Sequence, residues 1–121
     1  MNKLFFDTYA LIEILRGNPA YASFQEATPI INQFVFAELC TKLVKEVGEQ
    51  AAFVYADQYI PSVVLTENSA IKEAAVLRCK WHKMRVSFTD CLGYVQAKRM
   101  GIKFLTGDKE FKEMDNVEFV K

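Results

Sequence analysis

Asp7 in LFFDTYAL, Glu38 in FVFAELCTKL, Asp90 in SFTDCLGYV and Asp108 in FLTGDKEF are the side chains of this sequence best suited to chemistry. Each borders an apolar run, at a junction between one expected element and the next. Parallel strands deliver their carboxyl ends to one edge of a sheet, so acids at such junctions can meet there. Carboxylates held close raise one another's pKa, and a divalent cation removes that conflict by requiring them ionised. Oxygen ligands without histidine suit Mg²⁺ or Mn²⁺ better than Zn²⁺. Such an ion lowers the pKa of a water, orients it for in-line attack on phosphorus and neutralises the leaving oxygen. By spacing alone, helix capping is the simpler account of acids at these positions.

The elements that must position these acids alternate in type. KLFF reads as a short buried strand, after which Asp7 or Thr8 caps a helix carrying Leu11, Ile12 and Leu15. Arg16-Gly17-Asn18-Pro19 ends that helix, and a short helix is expected around residues 20–26. Pro29-Ile30-Ile31 reads as a second strand, with Asn32 capping the helix that bears Glu38. On that helix Phe36, Cys40 and Val44, and likewise Leu39, Leu43 and Val47, recur every four residues. Gly48 stops it, a further helix covers residues 49–58, and Pro61 to Leu65 reads as a third strand. Thr66 is expected to start a long helix with Ile71, Ala74, Leu77 and Trp81 facing inward. Ser87 begins the next one and Gly101 closes it. Lys103 to Thr106 and Val117 to Val120 complete five expected strands. Strands alternating with helices predict a three-layer α/β/α sandwich with a central, mostly parallel sheet and right-handed crossovers.

The chain has 121 residues, enough for a single domain with its own core, spanning 1–121. Apolar residues make up 51% and charged residues 25%, a soluble globular profile, and no apolar stretch approaches a membrane span. MNKLFFDTYA lacks the long apolar region of a secretory signal. Three unpatterned cysteines, Cys40, Cys79 and Cys91, point to a reducing cytoplasm and to thiols used as small core residues. Fifteen basic and fifteen acidic residues give zero net charge, which excludes coating nucleic acid through bulk positive charge. Lys98, Arg99, Lys103, Lys109 and Lys112 crowd the last quarter, where a solvated face is the simpler reading.

The local words add to the spacing. Asp-Thr after a short opening strand, Ala-Glu-Leu on the second main helix, Asp90 at the start of a late helix and FLTGDKEF resemble the PIN-domain family. The resemblance covers almost the whole chain. It implies that Asp7, Glu38, Asp90 and Asp108 are the catalytic acids and hold Mg²⁺ or Mn²⁺. Thr8 and Thr106 are placed to hydrogen-bond those ligands or a substrate phosphate, and helix capping and turn formation account for both equally well. Small prokaryotic members of this length are commonly VapC-like toxins. By that resemblance the chain is a metal-dependent endoribonuclease, a homodimer acting on RNA and silenced by an antitoxin protein. Water would attack phosphorus to leave a 3′-hydroxyl and a 5′-phosphate. Asn32 departs from the family's Ser or Thr, and Cys91 from a small Ala, where it would shape the pocket.

Other readings stand beside this one. A PIN-domain nuclease of RNA processing would keep the chemistry without an antitoxin, and a catalytically weak module would bind RNA or a partner without metal. A phosphorelay receiver would draft Asp7, Asp57, Ser87 and Lys109, but Asp57 lies in a helical pattern rather than at a strand end. Cys79 and His82 lie one helical turn apart, and two ligands make no closed zinc site. No Gly-rich phosphate loop and no convincing Ser-His-Asp arrangement occurs. Phe5, Phe6, Phe34, Phe36 and Phe53 occupy core-like positions, and among the tyrosines amphipathic burial competes with lining a groove for a partner helix.

Overall fold

The computed structural model describes residues 2–121. Four strands form one parallel sheet in the order β2-β1-β3-β4: β1 Lys3–Phe6, β2 Thr28–Ile30, β3 Lys103–Thr106 and β4 Val117–Phe119. In β1 and β3 the first residue is exposed and the next three are buried. Such runs, apolar without alternation, belong to central strands covered on both faces. The edge strands β2 and β4 are only half-buried.

Five α-helices surround the sheet: α1 Thr8–Leu15, α2 Gln33–Val47, α3 Glu49–Asp57, α4 Asn68–Lys80 and α5 Phe88–Met100. Both α1 and α5 pack on β1 and β3. The connection from β1 to β2 runs one way along the sheet and that from β2 to β3 runs back. Right-handed crossovers therefore place α1 and α5 on opposite faces, giving the α/β/α sandwich. Helix α5 lies close on the sheet because Gly93 faces it. A Cβ there would come within 2.8 Å of the Phe104 ring and 3.1 Å of the Phe5 ring. Phe104, Phe111, Tyr94 and Trp81 form an aromatic cluster between α5 and the sheet, with ring centroids 5.2–6.2 Å apart.

The caps follow the sequence. Asp7 caps α1, Asn32 caps α2 through the Val35 amide, and Ser87 with Asp90 forms a capping box on α5. Gly101 closes α5 at φ 70°, in the left-handed region that favours glycine. Residues 19–24 form a 3-10 turn in place of the short helix expected there.

Several expectations change. The third strand does not form: Ile60–Ser62 is a 3-10 turn, and only Val63 bridges the sheet, opposite Ile31. Ile31 already lies beyond the last residue of β2, so no ladder is left to extend. Helix α4 starts at Asn68 rather than Thr66, and Trp81 ends it, still packed on the core. Phe34, Val44 and Val47 of α2 are exposed, as is Phe53 of α3, because α2 turns Val35, Leu39 and Leu43 into the core and leaves the rest of its apolar face partly or wholly uncovered. Cys91 is buried and Cys40 partly so, whereas Cys79 is exposed on α4.

Candidate active site

In a parallel sheet the strand order reverses direction at a switch point, and ligands bind in the crevice beyond the strand ends there. Here that point lies between β1 and β3. Asp7 follows the last residue of β1, and Thr106, Gly107 and Asp108 end and follow β3. The first turn of α5 reaches the same edge, because α5 runs back to the start of β3, and it carries Asp90. Glu38 comes from the second turn of α2. All four acids line one open cavity of about 600 Å³.

Short hydrogen bonds fix each carboxylate. The Asp7 Oδ1 accepts from the Ala10 amide at 2.7 Å, while the buried Thr106 hydroxyl donates to Oδ2. The same hydroxyl oxygen accepts from the Asp108 amide at 3.0 Å, so one threonine ties the two strand ends together. Thr8 donates to Glu38 at 3.0 Å. Asp90 accepts from the Ser87 amide at 3.1 Å, and Asp108 from the Glu110 amide at 3.0 Å. Thr8 and Thr106 thus each donate to a carboxylate of this cavity.

The charges are unbalanced. Burial pushes the Asp7 carboxyl up to about 7, despite the hydrogen bonds from Thr106 and Ala10, and the charges of Asp90 and Asp108 add to the rise. Burial also raises Asp90, against its bonds to Ser87 and with Asp108 and Glu38 adding. None of the four acids forms an ion pair among the described residues. Nor are any three acid, histidine or cysteine groups there drawn together into a ready coordination sphere. The four carboxylates are held by separate hydrogen bonds and line the same cavity. Their chemistry, all carboxylate with no histidine or thiol lining the cavity, suits a hard divalent cation.

Around these acids stand Lys42, Arg85, Lys109 and Lys121. Of Lys98, Arg99, Lys103, Lys109 and Lys112, Lys109 alone lines this cavity. Lys98 pairs with Asp115 and Arg99 with Glu73, both on solvated faces. The other three cations are absent from the sequence-based set, although two had a readable signal. Lys42 is four residues after Glu38, hence on the same helix face. Lys121 follows β4, whose parallel direction brings its end to the same edge. Cys91 is fully buried and does not line the cavity: the cap that points Asp90 at the site turns the next side chain into the core. Asp57 ends α3 on the surface, away from the acids, which removes the receiver reading. His82 is exposed just beyond α4, its ring nitrogen against the Cys79 carbonyl at 3.1 Å.

An acidic cavity at the switch point of a parallel sheet defines a class of site, and the sequence profile of the PIN domain matches residues 4–117. The chain belongs to the PIN domain family. No curated protein sequence matches it. Among solved structures it is similar to a toxin–antitoxin complex from Klebsiella pneumoniae, with 17% identity over 95% of each chain and a TM-score of 0.75. VapBC2 from Rickettsia felis, bound to a DNA fragment from its promoter, has 16% identity over 98% of this chain and 99% of that one, with a TM-score of 0.75. VapC20 of Mycobacterium tuberculosis, a sarcin–ricin loop cleaving toxin, has 18% identity over 98% and 99%, with a TM-score of 0.79. At these identities the likeness is one of fold.

Proposed function

We propose that this chain is a Mg²⁺- or Mn²⁺-dependent endoribonuclease, the toxin of a VapBC-like pair acting in the cytoplasm. The observation that carries the reading is the convergence of Asp7, Glu38, Asp90 and Asp108 in one cavity inside a cationic rim. Asp7, Glu38 and Asp90 would hold the ion, with Asp108 completing the cluster directly or through water. When bound, the ion balances the carboxylates and supplies Lewis acidity for attack of water on phosphorus. The protein's own groups do the positioning. Thr106 sets Asp7 against Asp108, Thr8 sets Glu38, and the α5 cap sets Asp90. Lys42, Arg85, Lys109 and Lys121 offer donors to phosphate oxygens, which hold a strand without reading its sequence. The expected products carry a 3′-hydroxyl and a 5′-phosphate.

The toxin reading draws on fold likeness to the Klebsiella complex, to VapBC2 and to VapC20. An antitoxin that inserted a basic side chain among the carboxylates would neutralise the same charge as the ion. Val44, Val47, Phe53 and Val54, exposed on α2 and α3, offer apolar surface to such a partner or to a second copy in a homodimer.

The test is cleavage of a pool of single-stranded and structured RNA with Mg²⁺, Mn²⁺ or EDTA, wild type beside Asp90→Asn. Asparagine keeps an acceptor for the Ser87 amide, so the fold should persist while cleavage falls at least about 100-fold. Cleavage that survives EDTA, or survives the substitution, rejects the reading. Growth arrest on expression, relieved by a neighbouring gene, separates a toxin from an RNA-processing nuclease.

A further inference from the structure

Tyr9 is the second residue of α1 and borders two cavities at once. One is the acidic site. The other, about 370 Å³, lies between α1 and α2 and is also bordered by Ile12, Lys42 and Lys45. The Tyr9 side chain is 43% exposed, yet it is seated. Its ring rests on Gly107, where a Cβ would lie 2.2 Å from the ring and 2.7 Å from the Val120 carbonyl. Only glycine permits that approach. Tyr21 supports the ring from another side, with centroids 6.3 Å apart, and is itself buried and tied to the Val120 carbonyl at 2.5 Å. An exposed aromatic so fixed, one residue from Thr8 and two from Asp7, has lost little further freedom when something stacks on it.

The charges along the second cavity sort into two kinds. Arg16 is engaged by Glu13 and Glu46, so it fastens α1 to α2. Lys42 and Lys45 form no ion pair among the described residues, and Lys42 is shared with the acidic cavity. An aromatic plate followed by unpaired lysines along a groove suits a nucleic acid strand whose bases are free to leave their own stack.

We propose that Tyr9 is the stacking platform for the nucleotide next to the scissile phosphate, and that an unpaired RNA strand continues from it along the α1–α2 groove, its phosphates meeting Lys42 and Lys45. This rests on the nuclease reading and adds to it a residue that positions the substrate and a path for the strand. Tyr9 selects for a base that can be splayed out, and the lysines set the direction in which the strand leaves.

The test uses 12-nucleotide single-stranded RNAs, each carrying one 2-aminopurine at a successive position, with Ca²⁺ in place of Mg²⁺. Wild type and Tyr9→Phe should quench the probe in one register only. Tyr9→Leu should lose that quenching and bind roughly 5- to 100-fold more weakly, the range a lost base stack implies. Lys42→Ala should weaken binding while leaving the quenched register in place. Equal affinity and an unchanged quenching profile for Tyr9→Leu overturn the proposal. So does tighter binding of the same sequence as a duplex, or the absence of any quenched register in wild type, a result that needs no variant to fold. Failure of the nuclease reading looks different: wild type would stack the probe yet leave RNA uncut in Mg²⁺ and Mn²⁺.

Discussion

Asp7 is 4% exposed, accepts two hydrogen bonds and forms no ion pair among the described residues, so ionising it works against the fold. In the unfolded chain such a carboxyl titrates near 4, and in the folded chain near 7. Between those values the unfolded state has released a proton that the folded state keeps. Stability of the metal-free protein should therefore fall as pH rises from about 4 to about 7, then level off. Asp7→Asn removes the charge and keeps an acceptor for the Ala10 amide. In EDTA at pH 8 the variant should be more stable than wild type by about 1–2 kcal/mol, with the gain gone near pH 4. Urea unfolding at both pH values checks this, and a difference independent of pH contradicts it. Asp7, Asp90 and Asp108 were legible because each sits at an element end, whereas Glu38, in the second turn of α2, was marked only by the Ala-Glu-Leu word around it. What the spacing could not supply was their tethering. Thr106 is fully buried and reaches Asp7 across 99 residues of sequence while also binding the Asp108 amide, a contact that only the parallel pairing of β1 with β3 creates.

Elements were legible where capping chemistry marks them. Asn32, Ser87, Gly48 and Gly101 stand at the helix ends where the sequence put them. The third strand was misread because Val63-Val64-Leu65 is apolar with two β-branched residues, the composition of a strand. Composition does not register that the partner has run out. The Ile31 amide bonds to Ser62 at 3.0 Å and the Val64 amide to Ile31 at 2.8 Å, and the pairing stops there, leaving Leu65 86% exposed. A second element-scale feature, Gly93 on α5, sets how near the helix lies to the sheet. Gly93→Ala gains about 1 kcal/mol of helix propensity. Against that, its Cβ meets the Phe104 and Phe5 rings, both fully buried and unable to swing away. Overpacking of this kind costs about 1–3 kcal/mol and should win. Thermal unfolding should then show Tm lower by a few degrees. An unchanged or raised Tm would mean that α5 is not held at this distance by the two rings.

At the scale of the molecule, zero net charge conceals a sorted surface. Four acids converge on one cavity and four cations rim it, while the ion pairs of Lys98 and Arg99 lie on solvated faces elsewhere. A sum over the sequence excluded bulk coating of nucleic acid but had no means of finding the rim, which draws Lys42, Arg85, Lys109 and Lys121 from four separate parts of the chain. The central claim is that these acids act together as one site for a divalent cation. Calorimetric titration of Mn²⁺ into the metal-free protein at pH 6.5, in two buffers of different ionisation enthalpy, tests it most directly. Because burial keeps a proton on Asp7 up to about 7, binding to wild type should release protons, and the measured heat should depend on the buffer. Asp7→Asn should abolish the proton release and weaken binding at least tenfold. Isotherms that coincide for wild type and Asp7→Asn, with heats that do not change with buffer, would contradict the account.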